Sequence, residues 1–370
     1  MNIERVILRE LRLPFIHFFE TSFSRVYEKQ ALLVQVEGEG TTGWGECAAA
    51  EGPFYSPEDL YSARHVISRH IVPAFFKAEI GKAECFQSVV GFIRGHPMAK
   101  AAVEAALFDW ESRRLELPLW EFLGGVRRTI PCGVSIGIQD TPQQLLSKIA
   151  EELNSGYRRI KLKIKPGWDV DILKRVRDRF PDVPLMVDAN GAYGVEDFEH
   201  LAKLEEFRLL MIEQPLYHDD LIEHSRLQKE LKTPVCLDES IRHLRDARNA
   251  IELEACRVIN IKIGRVGGVV EAKRIHDYCL QQGVPVWCGG MLETGVGRAF
   301  NVAISTLENF VLPGDVAASR RYFERDTITP PVEVTPEGFI EVSTAPGIGY
   351  EPDIEWIEKV TVQKDSFTRE

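Results

Sequence analysis

A (β/α)7β barrel, TIM-like and capped by an N-terminal α+β domain, is the fold class that the sequence predicts. Three observations predict it. Strand-like and then helical segments fill residues 1–125, and from Ile130 onward eight short apolar runs alternate with amphipathic segments. No GxGxxG turn follows the first of these runs, where an open dinucleotide-binding sheet would carry it, although an open doubly wound sheet is the other architecture that such alternation permits.

The first segments, VILRELRLPF, QALLVQVEGEG and GWGECAA, read as strands joined by Gly-rich turns, an antiparallel meander. SPEDLYSARHVISRHIVPAFF then reads as a helix capped at Ser56 and Pro57, and PMAKAAVEAALFDWESRRLE is rich in helix formers. The barrel runs are IPCGVSIGI, IKLKI, VPLMVD, LLMIEQ, TPVCLD, RVINIKI, VPVWC and FVLPGD. Between them lie charged segments of helical period, such as DILKRVRDRF, DFEHLAKLEEF and EAKRIHDYCLQQG, giving a barrel over 126–320. Residues 321–370 contain EVTPEGFIEVSTAPGIG, short strands with turns and no helix to complete the last barrel unit, and are expected to return to the capping domain. No Pro- or Gly-rich linker divides the parts, so a tight interface is expected.

Composition narrows the partners. A chain of 370 residues with 44% hydrophobic content has ample core, and its net charge of -11 lacks the clustered cationic face that phosphate backbones or anionic membranes require. A small-molecule carboxylate substrate fits better, with no nucleic acid and no membrane. MNIERVILRELRLPF lacks the charged and apolar regions of a secretion signal, so a cytoplasmic location is expected. Seven cysteines without a CxxC pair suggest neither a disulfide framework nor a zinc site. His65 and His70, five positions apart, would not share one face of an α-helix.

The chemistry is carried by charge at the ends of apolar runs. In RRIKLKIKPG, Ile160, Leu162 and Ile164 alternate with Lys161, Lys163 and Lys165, so one strand face is apolar and the other cationic. An edge strand guarded by lysine shows the same pattern. Yet Lys163, Asp188, Glu213, Asp238 and Lys262 follow one another at intervals of 25, 25, 25 and 24. That interval suits one strand, one helix and two loops. The five therefore occupy equivalent positions on consecutive units, and in a barrel that position is the C-terminal rim where active sites lie. An acid after a strand can also simply cap the next helix.

Three carboxylates in one place demand a compensating cation. All-oxygen ligation by Asp188, Glu213 and Asp238 selects a hard divalent ion, Mg²⁺ first and Mn²⁺ second. An ammonium depressed by burial and a nearby cation is the base such a site needs, which assigns that role to Lys163 and Lys262 on opposite faces of a substrate. Metal plus lysine suits removal of the proton beside a carboxylate. Lys161 shares the inward face as an electrostatic partner, while Lys165 is a rim lysine.

The motifs RIKLKIKPGWD, VDANGAY, IEQPL, CLDESI, NIKIGRVGG and VPVWCGGMLETGVGRA resemble the enolase superfamily, and within it the muconate lactonizing enzyme subgroup. The resemblance reaches further, to the o-succinylbenzoate synthases and their N-acylamino acid racemase kin. It covers nearly the whole chain. It implies that the cap closes over the barrel mouth through FETSFS and GPFYSP, bringing Phe19, Phe23 and Tyr55 to the substrate. It implies further substrate contacts at Ser135, Asn190, Gly289, Gly290, Met291 and Glu293. Interface packing for the aromatics and a tight βα turn for the glycines are the ordinary readings of the same residues. The implied reaction is dehydration of a succinyl-bearing hydroxycyclohexadiene carboxylate in menaquinone synthesis, with Lys163 as base and Lys262 as an electrostatic partner. Racemisation of N-succinylamino acids uses both lysines as bases. A catalytically silent binding barrel is the alternative from outside enzymology. VPVWCGG lacks the His of mandelate racemase-like enzymes, and LPGDVAAS carries the single Asp315 where dipeptide epimerases have a pair. Relatives of this kind are commonly symmetric oligomers, so a homo-oligomer is expected.

Overall fold

The computed structural model describes residues 1–369. Three antiparallel strands open the chain: β1 (Arg5–Glu20), β2 (Arg25–Gly38) and β3 (Thr41–Cys47). The C-terminal strand Thr361–Thr368 pairs with β1, from Arg5 opposite Thr368 to Leu11 opposite Thr361, and completes a four-stranded sheet. The helix Pro97–Arg114 packs on this sheet with most of its circumference buried, as its Ala-rich sequence allows.

Two local features depart from the sequence reading. The helix that Ser56 and Pro57 were expected to cap starts at Leu60, because Asp59 accepts the Ser62 amide at 2.6 Å while the Ser62 hydroxyl accepts the Asp59 amide at 3.0 Å. That helix then widens into a π turn over Ile67–Ile71. A π turn holds an extra residue, so positions five apart fall in line. His65 and His70 consequently meet edge to face, with ring centroids 5.8 Å apart.

The barrel strands are β4 (Gly133–Ile136), β5 (Arg159–Lys163), β6 (Leu185–Asp188), β7 (Ile212–Glu213), β8 (Val235–Leu237), β9 (Val258–Ile261) and β10 (Val286–Cys288). They form one parallel sheet in sequence order. The eighth run, FVLPGD, closes the ring through single bridges, Phe310 to Val286 and Gly314 to Cys132, rather than as a regular strand. Pro313 has no amide hydrogen to give to a ladder, which explains the interruption. The barrel expected from the alternation is therefore present, with its last stave reduced.

Alternation decides what each strand buries. Ile160, Leu162 and Ile164 point outward into the main core beneath the helices, each side chain contributing about 1.5–3 kcal/mol. Inside, Met186, Met211, Cys236, Val258 and Trp287 form a separate apolar floor. The cap is bolted to the barrel by buried carboxylates. Glu46 of β3 accepts from Thr294 N (3.0 Å), Thr294 Oγ1 (2.7 Å) and Gly297 N (3.0 Å) at the start of the barrel helix Gly295–Ile304. Gln87 Nε2 reaches Gly267 O at 2.8 Å, just past Lys262, and also donates to Glu104 at 2.9 Å.

Candidate active site

Lys161, Lys163, Asp188, Glu213, Asp238 and Lys262 meet above the apolar floor, the three carboxylates fully buried. Lys163 ends β5 beside Asp188 at the end of β6, and Glu213 ends β7 beside it, so the regular spacing becomes direct adjacency. Lys163 Nζ donates to Asp188 Oδ2 at 2.6 Å and to Asn190 Oδ1 at 2.7 Å. Lys262 Nζ donates to Asp238 Oδ2 at 2.7 Å and to Tyr55 Oη at 3.2 Å, and it sits 4.9 Å from the centre of the Tyr55 ring. A residue of the cap thus touches a lysine of the barrel.

Lys161 is placed differently. Its Nζ lies 2.8 Å from Asp188, 2.6 Å from Glu213 and 3.1 Å from Asp315, and over Trp287 at 4.9 Å. Asn260 Nδ2 bridges Glu213 (2.8 Å) and Asp238 Oδ1 (3.1 Å), and Arg265 pairs with that same Asp238 oxygen.

These surroundings separate the three lysines. Burial pulls the proton affinity of Lys163 down, neighbouring Lys161 pulls the same way, and the attraction of Asp188 does not restore it. Burial also works against charge on Lys161, but Asp188, Asp315 and Glu213 outweigh it and hold the ammonium well above the usual lysine range. Lys262 is likewise raised, burial being overcome by Tyr55 and the surrounding acids. Burial and then the Asp188 charge push Glu213 up, whereas Asp188 is driven down because Lys161 and Lys163 overcome its burial.

Among the described residues, no three Asp, Glu, His or Cys side chains as placed close around one point to hold a metal ion. The Lys161 ammonium and the Asn260 amide stand between the carboxylates instead. The donor chemistry nevertheless fits a hard divalent cation. Glu213 Oε2 has Lys161 near it but no aligned hydrogen-bond donor, and Glu239 Oε2, also buried, has none. Unspent carboxylate oxygens in a dry site are what such an ion takes.

A cavity of about 200 Å³ opens over Lys161, Lys163 and Lys262. Phe19, Phe23, Tyr55, Ser135, Asn190, Gly290, Met291 and Glu293 all line it. Gly289 does not: a Cβ there would lie 2.3 Å from Asn260 Oδ1 and 2.7 Å from Lys262 Cε, so its bare backbone makes room for the lysine beneath. Lys165 stands at the rim, 3.4 Å from Glu20.

Sequence reasoning passed over Asn260, Glu239, Arg265 and the Arg159–Asp315 pair. Asn260 precedes Lys262 by two, and Arg159 precedes Lys161 by two, so strand alternation already put each on the inward face. Arg159 reaches Asp315 at 2.6 Å across the closing seam, and Gly133 allows it, since a Cβ there would lie 2.4 Å from the guanidinium carbon.

A cap closed over a barrel mouth that carries acids on three consecutive strands and lysines on either side defines a class of protein, the enolase-type capped barrels. Comparison with known proteins agrees. The sequence model described as "Mandelate racemase / muconate lactonizing enzyme, N-terminal domain" matches residues 4–124, and "Enolase C-terminal domain-like" matches residues 144–356. The chain belongs to the enolase superfamily, in its mandelate racemase / muconate lactonizing enzyme branch. It is 54% identical over its whole length, and over 98% of the relative, to an o-succinylbenzoate synthase of Geobacillus kaustophilus. An N-succinylamino acid racemase of Amycolatopsis is 47% identical over 98% of this chain and 99% of the relative. A crystal structure of an enolase superfamily member from Listeria innocua superimposes with a TM-score of 0.96 at 39% identity, covering all of both chains. Members of this superfamily bind a divalent metal.

Proposed function

We propose that this chain is an o-succinylbenzoate synthase, a carbon-oxygen lyase that dehydrates a succinyl-bearing hydroxycyclohexadiene carboxylate in menaquinone synthesis. The observation that carries the reading is the pair Lys163 and Lys262 lining one cavity, each anchored to a different fully buried carboxylate. Similarity at 54% identity over the full length supports the choice of reaction. In this reading residues 1–125 form the cap, 126–320 the barrel and 321–370 the return to the cap, in a cytoplasmic homo-oligomer.

Asp188, Glu213 and Asp238 would hold a divalent ion, Mg²⁺ first and Mn²⁺ second. When bound, that ion would offset the negative charge that develops on the substrate carboxylate. Lys163, whose proton affinity burial lowers, takes the proton from the carbon beside that carboxylate. The electron pair left on that carbon moves into the ring, and the hydroxyl on the neighbouring carbon leaves with its bonding pair as water once protonated. The elimination is syn, so the hydroxyl leaves on the face that lost the proton, and Lys163, now an ammonium, supplies the proton it leaves with. Lys262, held charged by Tyr55 and the acids, stays an ammonium opposite and stabilises the developing charge. Lys161, locked by three acids, orients Asp188 and Glu213 and exchanges no proton. Phe19, Phe23, Tyr55, Ser135, Asn190, Gly290, Met291 and Glu293 are the substrate contacts, and Gly289 keeps Lys262 free to move.

Racemisation of N-succinylamino acids is the second reading, favoured by the 47% identical relative and by the presence of a lysine on each side of the cavity. One lysine removes the α-proton and the other returns one to the opposite face. The deciding experiment follows purified protein with Mg²⁺ and the cyclohexadiene substrate by absorbance, and with N-succinylamino acids in D₂O by NMR. Aromatic product identifies the synthase. Failure of both dehydration and α-proton exchange would leave a silent binding barrel.

A further inference from the structure

Arg298 lines the same cavity as Lys163 and Lys262 and is almost wholly buried, yet no carboxylate stands within ion-pair distance of it among the described residues. Its Nη1 donates to Ala317 O at 2.7 Å and its Nη2 to Glu293 O at 2.6 Å, which fixes the head. Its Nε has no partner. The cation lies 4.9 Å from the Tyr322 ring, and Arg321, whose charge Glu152 neutralises, lies 5.1 Å from the same ring. Main-chain oxygens and a ring face satisfy part of the guanidinium, but they supply no counter-charge.

A buried, unpaired charge is costly, and proteins keep one where a ligand supplies the opposite sign. A second unpartnered group belongs to the same wall. Ser135 Oγ is buried without a hydrogen-bond partner and lines the cavity, and the carbonyl of Ser135 accepts from Arg321 at 2.7 Å, which ties this stretch of β4 to the Arg298–Tyr322 cluster. Lys163 and Lys262 are committed to acids at the reacting end, so neither is free for a second carboxylate.

We infer that Arg298 is a specificity-determining residue: it is the counter-charge for the carboxylate at the far end of the substrate's acyl arm, with Ser135 Oγ as an additional donor. This inference rests on the proposed reading, in which the substrate carries a succinyl arm. Arginine suits the task, because its fork is fixed by the two main-chain oxygens before the substrate arrives.

The test measures binding of two probes by calorimetry with Mg²⁺ present: o-succinylbenzoate, and 2-butanoylbenzoate, which replaces the distal carboxylate with a methyl group. The wild-type protein should prefer the succinyl probe by about 10- to 100-fold, the range of a charge-assisted pair. Arg298→Met should erase that preference while leaving the affinity for 2-butanoylbenzoate within about threefold. Arg298→Lys, which keeps the charge but not the two main-chain hydrogen bonds to Glu293 and Ala317, should retain part of it. A preference that survives in Arg298→Met, or equal loss for both probes in both variants, overturns the inference while dehydration by the wild type leaves the reading intact. A wild-type protein that neither binds o-succinylbenzoate nor turns over the cyclohexadiene substrate overturns both.

Discussion

Lys163 Nζ lies 2.6 Å from Asp188 Oδ2, both buried at the ends of adjacent strands. An ion pair of this kind ordinarily raises a lysine, but here burial and the second ammonium of Lys161 prevail and leave Lys163 lowered. Lys163→Ala should therefore cost about 10²–10⁴-fold in kcat for dehydration and for α-proton exchange alike. Circular dichroism should show an unchanged fold. Retained dehydration would remove Lys163 from the role of base.

Lys262→Arg separates the two chemistries. A guanidinium keeps the positive charge but cannot give up its proton to act as a base. Racemisation should fall by roughly 10²-fold and dehydration by less than about tenfold, read from kcat/KM for each reaction. Equal losses would argue against a purely electrostatic part for Lys262 in dehydration.

Removal of divalent metal by a chelator should abolish activity, and Mg²⁺ should restore it. Because the ion would bind the folded state alone, Mg²⁺ at about 100 times its Kd should add roughly 2.7 kcal/mol of stability, visible as a higher Tm. Asp238→Asn should lose that Tm response. A Tm indifferent to Mg²⁺ in the wild type would count against the assignment of Asp188, Glu213 and Asp238 as ligands.

Gly289→Ala would place a methyl carbon 2.7 Å from Lys262 Cε and 2.3 Å from Asn260 Oδ1. Crowding of this kind costs about 1–3 kcal/mol, and here it falls on Lys262, the lysine proposed to stabilise the developing charge. A fall in kcat with a modest drop in Tm is expected. An unaltered kcat would show that Lys262 has slack to retreat.

Glu104 links pH to the docking of cap and barrel. Burial pushes its carboxyl up from the ordinary 4.5 to about 7, against hydrogen bonds from Gln87 at 2.9 Å and Val270 N at 3.3 Å. As pH rises, the unfolded chain releases this proton near 4.5 while the folded chain holds it until about 7. Stability therefore falls between those values and levels off above them, by on the order of 3 kcal/mol. Glu104→Gln removes the titration, so its Tm relative to wild type should climb from pH 5 to pH 8. A constant difference would place the Glu104 pKa at an unshifted value.

Much of the site was legible because strand alternation and unit length are local properties. Lys163, Asp188, Glu213, Asp238 and Lys262 could be placed on one rim from their spacing alone, and they line that rim. Other features depended on geometry that spacing does not encode. The π turn that brings His65 to His70 comes from backbone hydrogen bonding five residues apart, and Pro313 reduces the eighth strand to bridges. Asn260 and Arg159 were on the inward face by the same alternation, but nothing local distinguishes a side chain that spans two carboxylates from one that merely fills space.

By itself the sequence determined the architecture and the chemical inventory: a capped barrel with three acids and three lysines on inward-facing positions of successive strands. Only the tertiary structure decided how those lysines differ. Lys161 and Lys163 are two residues apart on one strand face, yet Lys161 meets Asp188, Glu213 and Asp315 while Lys163 meets Asp188 and a neutral amide. The first is held charged and the second is lowered. Proton affinity in a buried site is set by which partners the closed ring brings within a few ångströms, and Asp315 arrives only when the last stave meets the first.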